Sequence, residues 1–423
     1  MTHAIILVST MVGIIINILN INNYAYHRGG SEQYFFDLEK MLQQRGHSVF
    51  PFSIRDERNT DPKEYFPDGL DLQKPPLINA TRFFYSSMAR QNIIDVIKRK
   101  KVDVVHLHIY HGQLTASILK PLVASGIPIV QTLHDFKLVC SNSVLRSNNH
   151  YCQACSGKKH WKSIINRCNK GSYIRSAIYA LEAYASEYMG SISSIDQYIA
   201  VSDYQKDILA SLGVSESKIT TIPHCIQVNE EPKVKAEYFL FVGRLVKEKG
   251  IYDLINAYSL LDQKISPPLK IVGDGPELSG IQNRLQGSGL KVEILGRKEG
   301  VALKELYRNA LCLVNPSHYN ESFGLTIIEA YACGTPVIVS NRGAMVENVR
   351  EGLSGYVFQC GDIHALVDKM NFFILQPEKA FLMGLEAAQL AKEKFDPNVH
   401  CDSILNVYRK VISQKVSGGT GVT

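Results

Sequence analysis

The sequence has little of what marks a secreted or membrane-spanning protein. Its nine cysteines are scattered along 423 residues, unlike the framework of a small disulfide-rich domain. The apolar stretch at residues 4–19 has no basic region before it and is interrupted by Asn17, so it favours neither a signal peptide nor a membrane span. We therefore expect a cytoplasmic protein in which residues 14–21 form the first buried strand. With 20% charged and 45% hydrophobic residues, the composition excludes disordered and collagen-like chains.

Two familiar ligand signatures are also missing. No Asp-X-Asp triplet occurs in the chain, and such triplets supply carboxylate ligands to a Mg²⁺ or Mn²⁺ that neutralises a bound diphosphate. The two glycines at 29–30 are not the dinucleotide fingerprint, which needs three spaced glycines. A diphosphate bound here must therefore be neutralised by basic side chains and helix N-termini, and we expect no required cofactor.

The net charge of +6 is small for a chain of this length and does not by itself indicate a nucleic-acid partner. Its distribution is more informative, because residues 136–181 contain eight basic residues and no acidic one. The whole chain has 46 basic and 40 acidic residues, so 38 and 40 remain outside this basic segment. Residues 136–181 thus account for the whole excess of positive charge.

Short runs of β-branched and aliphatic residues alternate with stretches of helical periodicity, which is typical of βα units around a parallel sheet. This α/β pattern breaks in the polar stretch at 227–237 and restarts with a strand at 238–242. We predict two Rossmann-like, doubly wound domains, residues 1–226 and 238–395, that face each other across a cleft. A C-terminal helix at 396–416, able to cross back to the first domain, and a tail at 417–423 complete the chain.

The first candidate phosphate site is the Arg-Gly-Gly-Ser-Glu segment at residues 28–32, between the first predicted strand and the first predicted helix. Gly29 and Gly30 allow the backbone to approach an oxyanion, and the N–H groups at the start of the helix point towards it. A plain tight turn is the alternative explanation of these glycines.

The second predicted domain has two more candidate sites at the ends of strands. Arg244 and Lys249 lie on the loop after the strand at 238–242, where two cations can neutralise a diphosphate. Gly273 and Gly275 lie on a later strand-to-helix turn, where they allow a flat part of a nucleotide to lie close to the backbone. Solvated surface cations are the alternative for Arg244 and Lys249.

The most specific pattern is a pair of glutamates, Glu321 and Glu329, that enclose seven residues. Glu321 is predicted to lie in a loop, and Glu329 inside a helix that begins near Phe323, Gly324 and Leu325. The start of such a helix offers N–H groups and a positive dipole to phosphate. A carboxylate is suited to accept hydrogen bonds from two sugar hydroxyls.

Taken in order along the chain, these motifs and the His-Asp pair at 134–135 resemble glycosyltransferase family 4, a family of retaining enzymes with the GT-B fold. The resemblance extends from about residue 14 to residue 409. One segment departs from it, because residues 224–227 read His-Cys-Ile-Gln where such enzymes usually have Asn-Gly, an Ile or Val, and Asp.

The resemblance implies a nucleotide-diphosphate sugar as donor, bound mainly by the second domain, and an acceptor bound mainly by the first. It implies that Arg244 and Lys249 hold the diphosphate. By the same resemblance Glu329 holds the ribose, and Glu321 lies against the donor sugar.

The resemblance also implies that the backbone at Gly30 contacts the phosphates and that His134 lies at the reaction centre. No side-chain nucleophile is agreed for these enzymes, and the usual proposal is that the leaving phosphate takes the proton of the acceptor. His134 would then orient the sugar or polarise the centre. A structural histidine at the end of a strand is the alternative.

The predicted function is therefore transfer of a sugar, with retention, from a UDP-sugar to a saccharide or lipid-linked saccharide in bacterial surface polysaccharide synthesis. One alternative is a nucleotide-sugar epimerase of the same fold, which does not account for the basic segment. The other is a catalytically silent saccharide-binding subunit. Such a subunit is expected to lack one of Arg244, Lys249, Glu321 and Glu329, and all four are present.

The basic segment combines cations with the only tryptophan of the chain. Basic and aromatic side chains together favour an anionic membrane surface, at about 1 kcal/mol for each cation close to the lipid. The residues expected to face a membrane or an approaching acceptor are Lys158, Lys159, Trp161, Lys162 and Arg167. The alternative is a solvated face, with the aliphatic residues of the following helix pointing into the core.

Four cysteines, Cys140, Cys152, Cys155 and Cys168, lie in the same segment. Four thiolates suit a tetrahedral structural zinc site, but the outer two are single cysteines at irregular distances. We therefore predict no metal site. Zinc at these cysteines is the alternative, which elemental analysis of the purified protein can test.

Overall fold

The computed structural model describes residues 14–70, 81–147, 150–228 and 237–419. The chain forms two compact units. The first comprises Met1–Ile222 together with Asn398–Thr423, and the second comprises Pro223–Pro397. Each unit is built around a six-stranded parallel sheet.

The first unit alternates strands and helices along the chain. Its strands are β1 (Asn17–Ile21), β2 (Ser48–Phe52), β3 (Val104–Leu107), β4 (Ile129–Leu133), β7 (Gln197–Ala200) and β8 (Ile219–Thr221), and a separate antiparallel pair is β5 (Arg146–Ser147) with β6 (His150–Tyr151). Its helices are α1 (Gly30–Gln44), α2 (Ser87–Arg99), α3 (Leu119–Ala124), α4 (Lys162–Ile165), α5 (Tyr173–Tyr188), α6 (Asp203–Ser211) and, at the C-terminus, α13 (Pro397–Gly419). The strand order is β2-β1-β3-β4-β7-β8.

The first sheet is covered on both faces, because successive strand residues point to opposite sides. Ile18 belongs to one buried cluster, to which α1 and α13 contribute, and its neighbour Leu19 belongs to the other, to which α2, α3 and α6 contribute. From α13, Leu405 and Tyr408 are part of this core. The last helix therefore lies in the first unit.

The second unit repeats this architecture. Its strands are β9 (Tyr238–Val242), β10 (Leu269–Val272), β11 (Val292–Ile294), β12 (Ala310–Asn315), β13 (Val337–Ser340) and β14 (Gly355–Phe358), in the order β11-β10-β9-β12-β13-β14. Its helices are α7 (Ile251–Ser259), α8 (Leu278–Leu285), α9 (Gly300–Arg308), α10 (Leu325–Ala332), α11 (Ile363–Leu375) and α12 (Pro377–Lys394). Two parallel sheets of the Rossmann type confirm the predicted α/β fold class.

Several predicted bounds differ from those of the structure. β1 begins at Asn17, later than residue 14, because Ile14 and Ile15 are exposed and lie outside the sheet. β14 was not predicted, since it is a short edge strand with two half-buried central residues. The helix expected near Phe323 begins at Leu325, because Gly324 before it has a left-handed φ of +93°.

The division of the chain also differs in detail from the prediction. The first unit ends at Ile222, four residues before the predicted limit of 226. α13 continues to Gly419, beyond the predicted start of the tail at 417. Part of the predicted linker, residues 229–236, and the last four residues lie outside the described chain.

Candidate functional site

The predicted donor residues gather at one edge of the second sheet. Strand order reverses its direction between β9 and β12, and open α/β sheets bind ligands outside the carboxyl ends of their strands at such a point. The loops after β9 and β10 carry Arg244, Lys249, Gly273 and Gly275, and the loop after β12 carries Glu321.

Glycines hold these loops close together. A Cβ on Gly273, whose φ is +144°, would lie 1.9 Å from the carbonyl oxygen of Gly243. A Cβ on Gly275 would lie 2.4 Å from the oxygen of Leu245, and one on Gly250 would lie 2.0 Å from that of Pro316. No other residue fits at these positions without moving backbone, so part of the glycine requirement comes from packing between loops.

Lys249 and Glu321, which the resemblance gives separate roles, form an ion pair. Their side chains are 29% and 13% exposed, so the pair is partly shielded from solvent. The hydroxyl of Ser317 also donates to Glu321 Oε1, at 3.2 Å. Arg244, in contrast, is exposed.

The side chain of Glu329 is held by a hydrogen bond from another helix of the second unit. The hydroxyl of Tyr307 on α9 donates to its Oε2 at 2.7 Å. Burial raises the pKa of Glu329, although the hydrogen bond from Tyr307 opposes this shift. A carboxylate held in this way keeps a fixed orientation, as two hydrogen bonds to a ligand diol require.

Two further histidines of the second unit, His318 and His224, were not among the predicted site residues. His318 Nε2 lies 2.6 Å from Asp253 Oδ2 on α7, and this hydrogen bond, followed by one with Cys360, raises the pKa of His318 to about 9. His318 is therefore cationic at neutral pH. His224, in the segment that departs from the family pattern, is buried with its ring 5.0 Å from that of Phe323.

In the first unit, Gly29 and Gly30 lie between β1 and α1, which begins at Gly30. Gly29 has an extended backbone, with φ of −165°, and a Cβ there would only contact Glu32 Oε2 at 3.5 Å. Neither feature requires glycine in the protein itself. Contact of this residue with a ligand stays a prediction.

His134 follows β4, is partly exposed, and is hydrogen-bonded to a chain of buried polar groups. His134 Nε2 lies 3.0 Å from His108 Nδ1, and His108 Nε2 lies 2.8 Å from Asn20 Oδ1. Because the amide oxygen only accepts, His108 carries its hydrogen on Nε2, and its Nδ1 accepts one from His134 Nε2. Burial lowers the pKa of His134 to about 3. His134 is therefore a neutral imidazole with a defined tautomer, set by two residues that the sequence did not single out.

A cavity of about 180 Å³ opens beside His134. Its wall includes Lys137 and, from α5, Glu182. Lys137 Nζ lies 2.5 Å and His111 Nδ1 3.3 Å from the carboxylate of Glu182. Although burial opposes it, these partners lower the pKa of Glu182 to about 2. The cavity wall therefore contains the Lys137–Glu182 ion pair and a second carboxyl group, that of Asp135.

The buried histidines predict sensitivity to mild acid. His106 Nδ1 lies 2.6 Å from the Tyr408 hydroxyl, and burial, followed by the charges of His134 and His400, lowers its pKa to about 3. His106 and His134 stay neutral when folded but protonate below pH about 6.5 when unfolded, so stability falls as the pH drops from 6.5 towards 3. Between pH 7.5 and 5.5 each of the two histidines should cost about 1.4 kcal/mol of folding stability. Urea unfolding at the two pH values of the parent and of His106→Gln isolates this loss, because the variant should lose less stability; an equal pH dependence in the two proteins would contradict the prediction.

The four cysteines considered as the alternative zinc site all line one small cavity of about 10 Å³. Ala154 N donates to Cys152 Sγ at 3.4 Å, and burial, followed by the other three thiols, raises the pKa of Cys155 to about 11. Within the described ranges, however, no three His, Cys, Asp or Glu side chains are placed to hold a metal ion. The absence of a metal site stays a prediction.

The basic segment is less uniform than its sequence suggests. Lys158 pairs with Glu187, and Lys162 is half-buried with its Nζ 6.0 Å from the ring of Trp161. Lys159, Trp161 and Arg167 are exposed. In the part of the chain that the structure describes, no helix is both long and apolar enough to cross a bilayer.

Comparison with known proteins identifies the class of enzyme. A family model described as Glycosyltransferase Family 4 matches residues 28–230, and one described as Glycosyl transferases group 1 matches residues 226–389. Between them the two models account for both units. The chain belongs to this glycosyltransferase family, with the GT-B fold, and transfers a sugar from a nucleotide sugar.

Similar proteins match this chain over nearly its whole length. N-acetyl-alpha-D-glucosaminyl L-malate synthase of Bacillus anthracis is 23% identical, over 92% of this chain and 96% of the relative. Anabaena HepE in complex with UDP-glucose has the same fold, with a TM-score of 0.64, 17% identity, and coverage of 95% of this chain and 100% of that one. The lipopolysaccharide outer core galactosyltransferase WaaB gives a TM-score of 0.61 at 16% identity, with 96% and 100% covered.

Proposed function

We propose that this glycosyltransferase uses a UDP-sugar and transfers the sugar, with retention and without a metal ion, to a saccharide or lipid-linked saccharide. The observation that supports the proposal is that Arg244, Lys249 and Glu321 lie on loops at the carboxyl edge of one sheet, with Glu329 on the helix that follows one of these loops. Solved relatives of the same fold contain UDP or UDP-glucose. A surface polysaccharide as the product is part of the same proposal.

The donor is held by cationic side chains at its diphosphate and by a carboxylate at its ribose. Arg244 and Lys249 neutralise the diphosphate, at about 1.5 to 3 kcal/mol for each charge-assisted hydrogen bond. Glu329, already oriented by Tyr307, accepts hydrogen bonds from the ribose hydroxyls. The ion pair with Glu321 holds the ammonium group of Lys249 in place before the donor binds. It also keeps the carboxylate of Glu321 beside the sugar.

In the proposed reaction the bond between the sugar C1 and the phosphate oxygen breaks while a bond from C1 to an acceptor oxygen forms on the same face. The proton of the acceptor hydroxyl goes to the departing phosphate, so no side-chain base is needed. Positive charge on Arg244 and Lys249 stabilises the negative charge that develops on the leaving group. No Asp-X-Asp triplet is present to hold a metal for this purpose.

His134 orients the sugar rather than attacking it. As a neutral imidazole whose Nε2 hydrogen is directed at His108, it cannot supply a permanent positive charge. Its own position is fixed by the His108–Asn20 hydrogen bond. The proposed acceptor site is the cavity beside it, where Lys137 and Glu182 form its charged wall.

A thermal-shift panel with UDP, GDP and ADP tests the donor assignment. We expect UDP to stabilise the protein most, because a ligand at a hundred times its dissociation constant adds about 2.7 kcal/mol to the folded state. The shift should be the same in EDTA as in Mg²⁺ if no metal takes part. Hydrolysis assays with the matching sugars follow, and NMR of the product anomer tests retention. No stabilisation by any of the three nucleotides would overturn the proposal.

The proposed site of action is the cytoplasmic face of a membrane, where a lipid-linked saccharide is available. The enzyme would be a peripheral protein there. The basic segment of the first unit is the part of the chain suited to that contact.

A further inference from the structure

Helix α5 has its large apolar side chains on the outside. The residues that it buries are small or polar, namely Ser176, Ala180, Glu182, Ala183 and Ser186. Ile174, Ile178 and Leu181, spaced along one face, are 75%, 39% and 57% exposed. A helix on the surface of a soluble protein normally has the reverse arrangement, so this face is suited to contact with a partner.

The preceding segment extends this apolar face. The backbone N–H of Trp161 donates to the hydroxyl of Tyr184 on α5, at 3.2 Å, and Trp161 is 48% exposed. The guanidinium of Arg167 lies 5.4 Å from the ring centroid of Tyr173 at the start of α5. Trp161, Arg167 and the exposed side of α5 are therefore parts of one surface.

This surface carries positive charge without exposed negative charge. Lys159, Arg167, Lys170 and Arg175 are exposed, and within the described residues no ion pair joins them to a carboxylate. The two glutamates of α5 form ion pairs with other lysines: Glu182 is buried beside Lys137, and Glu187 pairs with Lys158. A second copy of the chain would meet like charge here, whereas an anionic surface meets opposite charge.

We propose that this face of α5, with Trp161 and the four cations, docks on an anionic lipid bilayer. The apolar side chains enter the interfacial layer and the cations contact lipid headgroups. This is attachment by insertion as well as by charge, since charge alone does not account for exposed Ile174 and Leu181. Membrane binding as such does not depend on the donor assignment.

The same helix connects the membrane to the proposed acceptor cavity, an extension that rests on the proposed function. The buried Glu182 and the neighbouring Tyr179 of α5 line the cavity that contains His134. A saccharide on a membrane lipid therefore meets the cavity next to the docked helix. The inference specifies the acceptor as lipid-linked.

The single tryptophan gives a direct assay on the full-length protein. We expect the fluorescence of Trp161 to shift to shorter wavelength on addition of phosphatidylglycerol-containing vesicles and to be quenched by brominated lipid. Vesicles of phosphatidylcholine alone should bind much more weakly. Unchanged fluorescence together with equal sedimentation on both kinds of vesicle would overturn the proposal.

Variants separate the two components of binding. Ile174→Ser and Leu181→Ser should each weaken vesicle binding about tenfold. Lys159→Gln combined with Arg175→Gln should weaken it roughly 25-fold, at about fivefold for each cation. Leu382→Ser and Leu385→Ser on α12, which are exposed apolar residues of the second unit, are the matched controls and should bind like the parent.

Failure of this inference is distinguishable from failure of the proposed function. UDP thermal shifts on the same variants should be unchanged, because α5 contains none of the residues proposed to hold the donor. If UDP stabilises the protein and vesicles do not bind, only the docking surface is wrong. A concentration-dependent dimer that Ile174→Ser abolishes would instead assign this face to a second copy of the chain.

Discussion

Glu329→Ala is expected to abolish sugar transfer while leaving the fold intact. The variant enzyme would lose two charge-assisted hydrogen bonds to the ribose, each worth about 1.5 to 3 kcal/mol. Their combined loss corresponds to roughly a hundredfold to ten-thousandfold decrease in kcat/KM. The substitution also leaves the buried hydroxyl of Tyr307 without the acceptor it has in the structure, so a modest loss of stability is expected. Steady-state kinetics and thermal unfolding measure the two effects separately.

Two further variants make this test specific. Glu329→Gln keeps the shape and one acceptor oxygen, so it should retain more activity than Glu329→Ala. Glu386→Ala changes an exposed glutamate on α12 and should leave transfer unchanged. Near-normal activity of Glu329→Ala would show that the ribose is bound elsewhere.

Arg244→Ala is expected to reduce transfer by about a hundredfold to a thousandfold, as found when one preorganised donor to a developing negative charge is removed. The side chain is exposed in the structure, so its loss should not affect folding. If it acts on the leaving diphosphate, kcat should fall more than KM rises. A change in KM alone would mean that Arg244 contributes only to binding of the donor.

The matched variants again isolate the role of the side chain. Arg244→Lys keeps the charge but loses the planar fork that can make two parallel bonds to phosphate, so it should recover activity only in part. Arg284→Ala removes an exposed arginine of α8 in the same unit and should behave like the parent. A normal turnover number for Arg244→Ala would refute the placement of the diphosphate.

Much of the fold is predictable because it depends on local patterns. β9 has the predicted bounds of 238–242, since a short apolar run between polar turns allows only one buried strand. The edge strand β14 was missed because its half-buried residues give a mixed pattern. The start of β1 was misplaced because Ile14 and Ile15 continue the apolar run beyond the sheet.

In the second unit the sequence indicates which elements carry the predicted site residues, but not which partners orient those residues. Arg244, Lys249 and Glu321 lie on loops after strands, and Glu329 lies inside a helix, as the sequence indicated. The Lys249–Glu321 ion pair was not predicted, because the two residues come from loops of different strands. Tyr307, which orients Glu329, has no local sequence signal, since it is an ordinary apolar residue of α9 until the fold brings its hydroxyl to the carboxylate.

Sequence alone determined the two-domain α/β architecture, the family, the location of the positive charge and the residues proposed to hold the donor. These are properties of composition and of spacing along the chain. Only the tertiary structure decided that His134 is neutral and bonded to His108, and that α5 exposes Ile174 and Leu181 instead of burying them. A pKa or an exposed face depends on which distant residues remove water from a side chain, and that neighbourhood exists only in the folded chain.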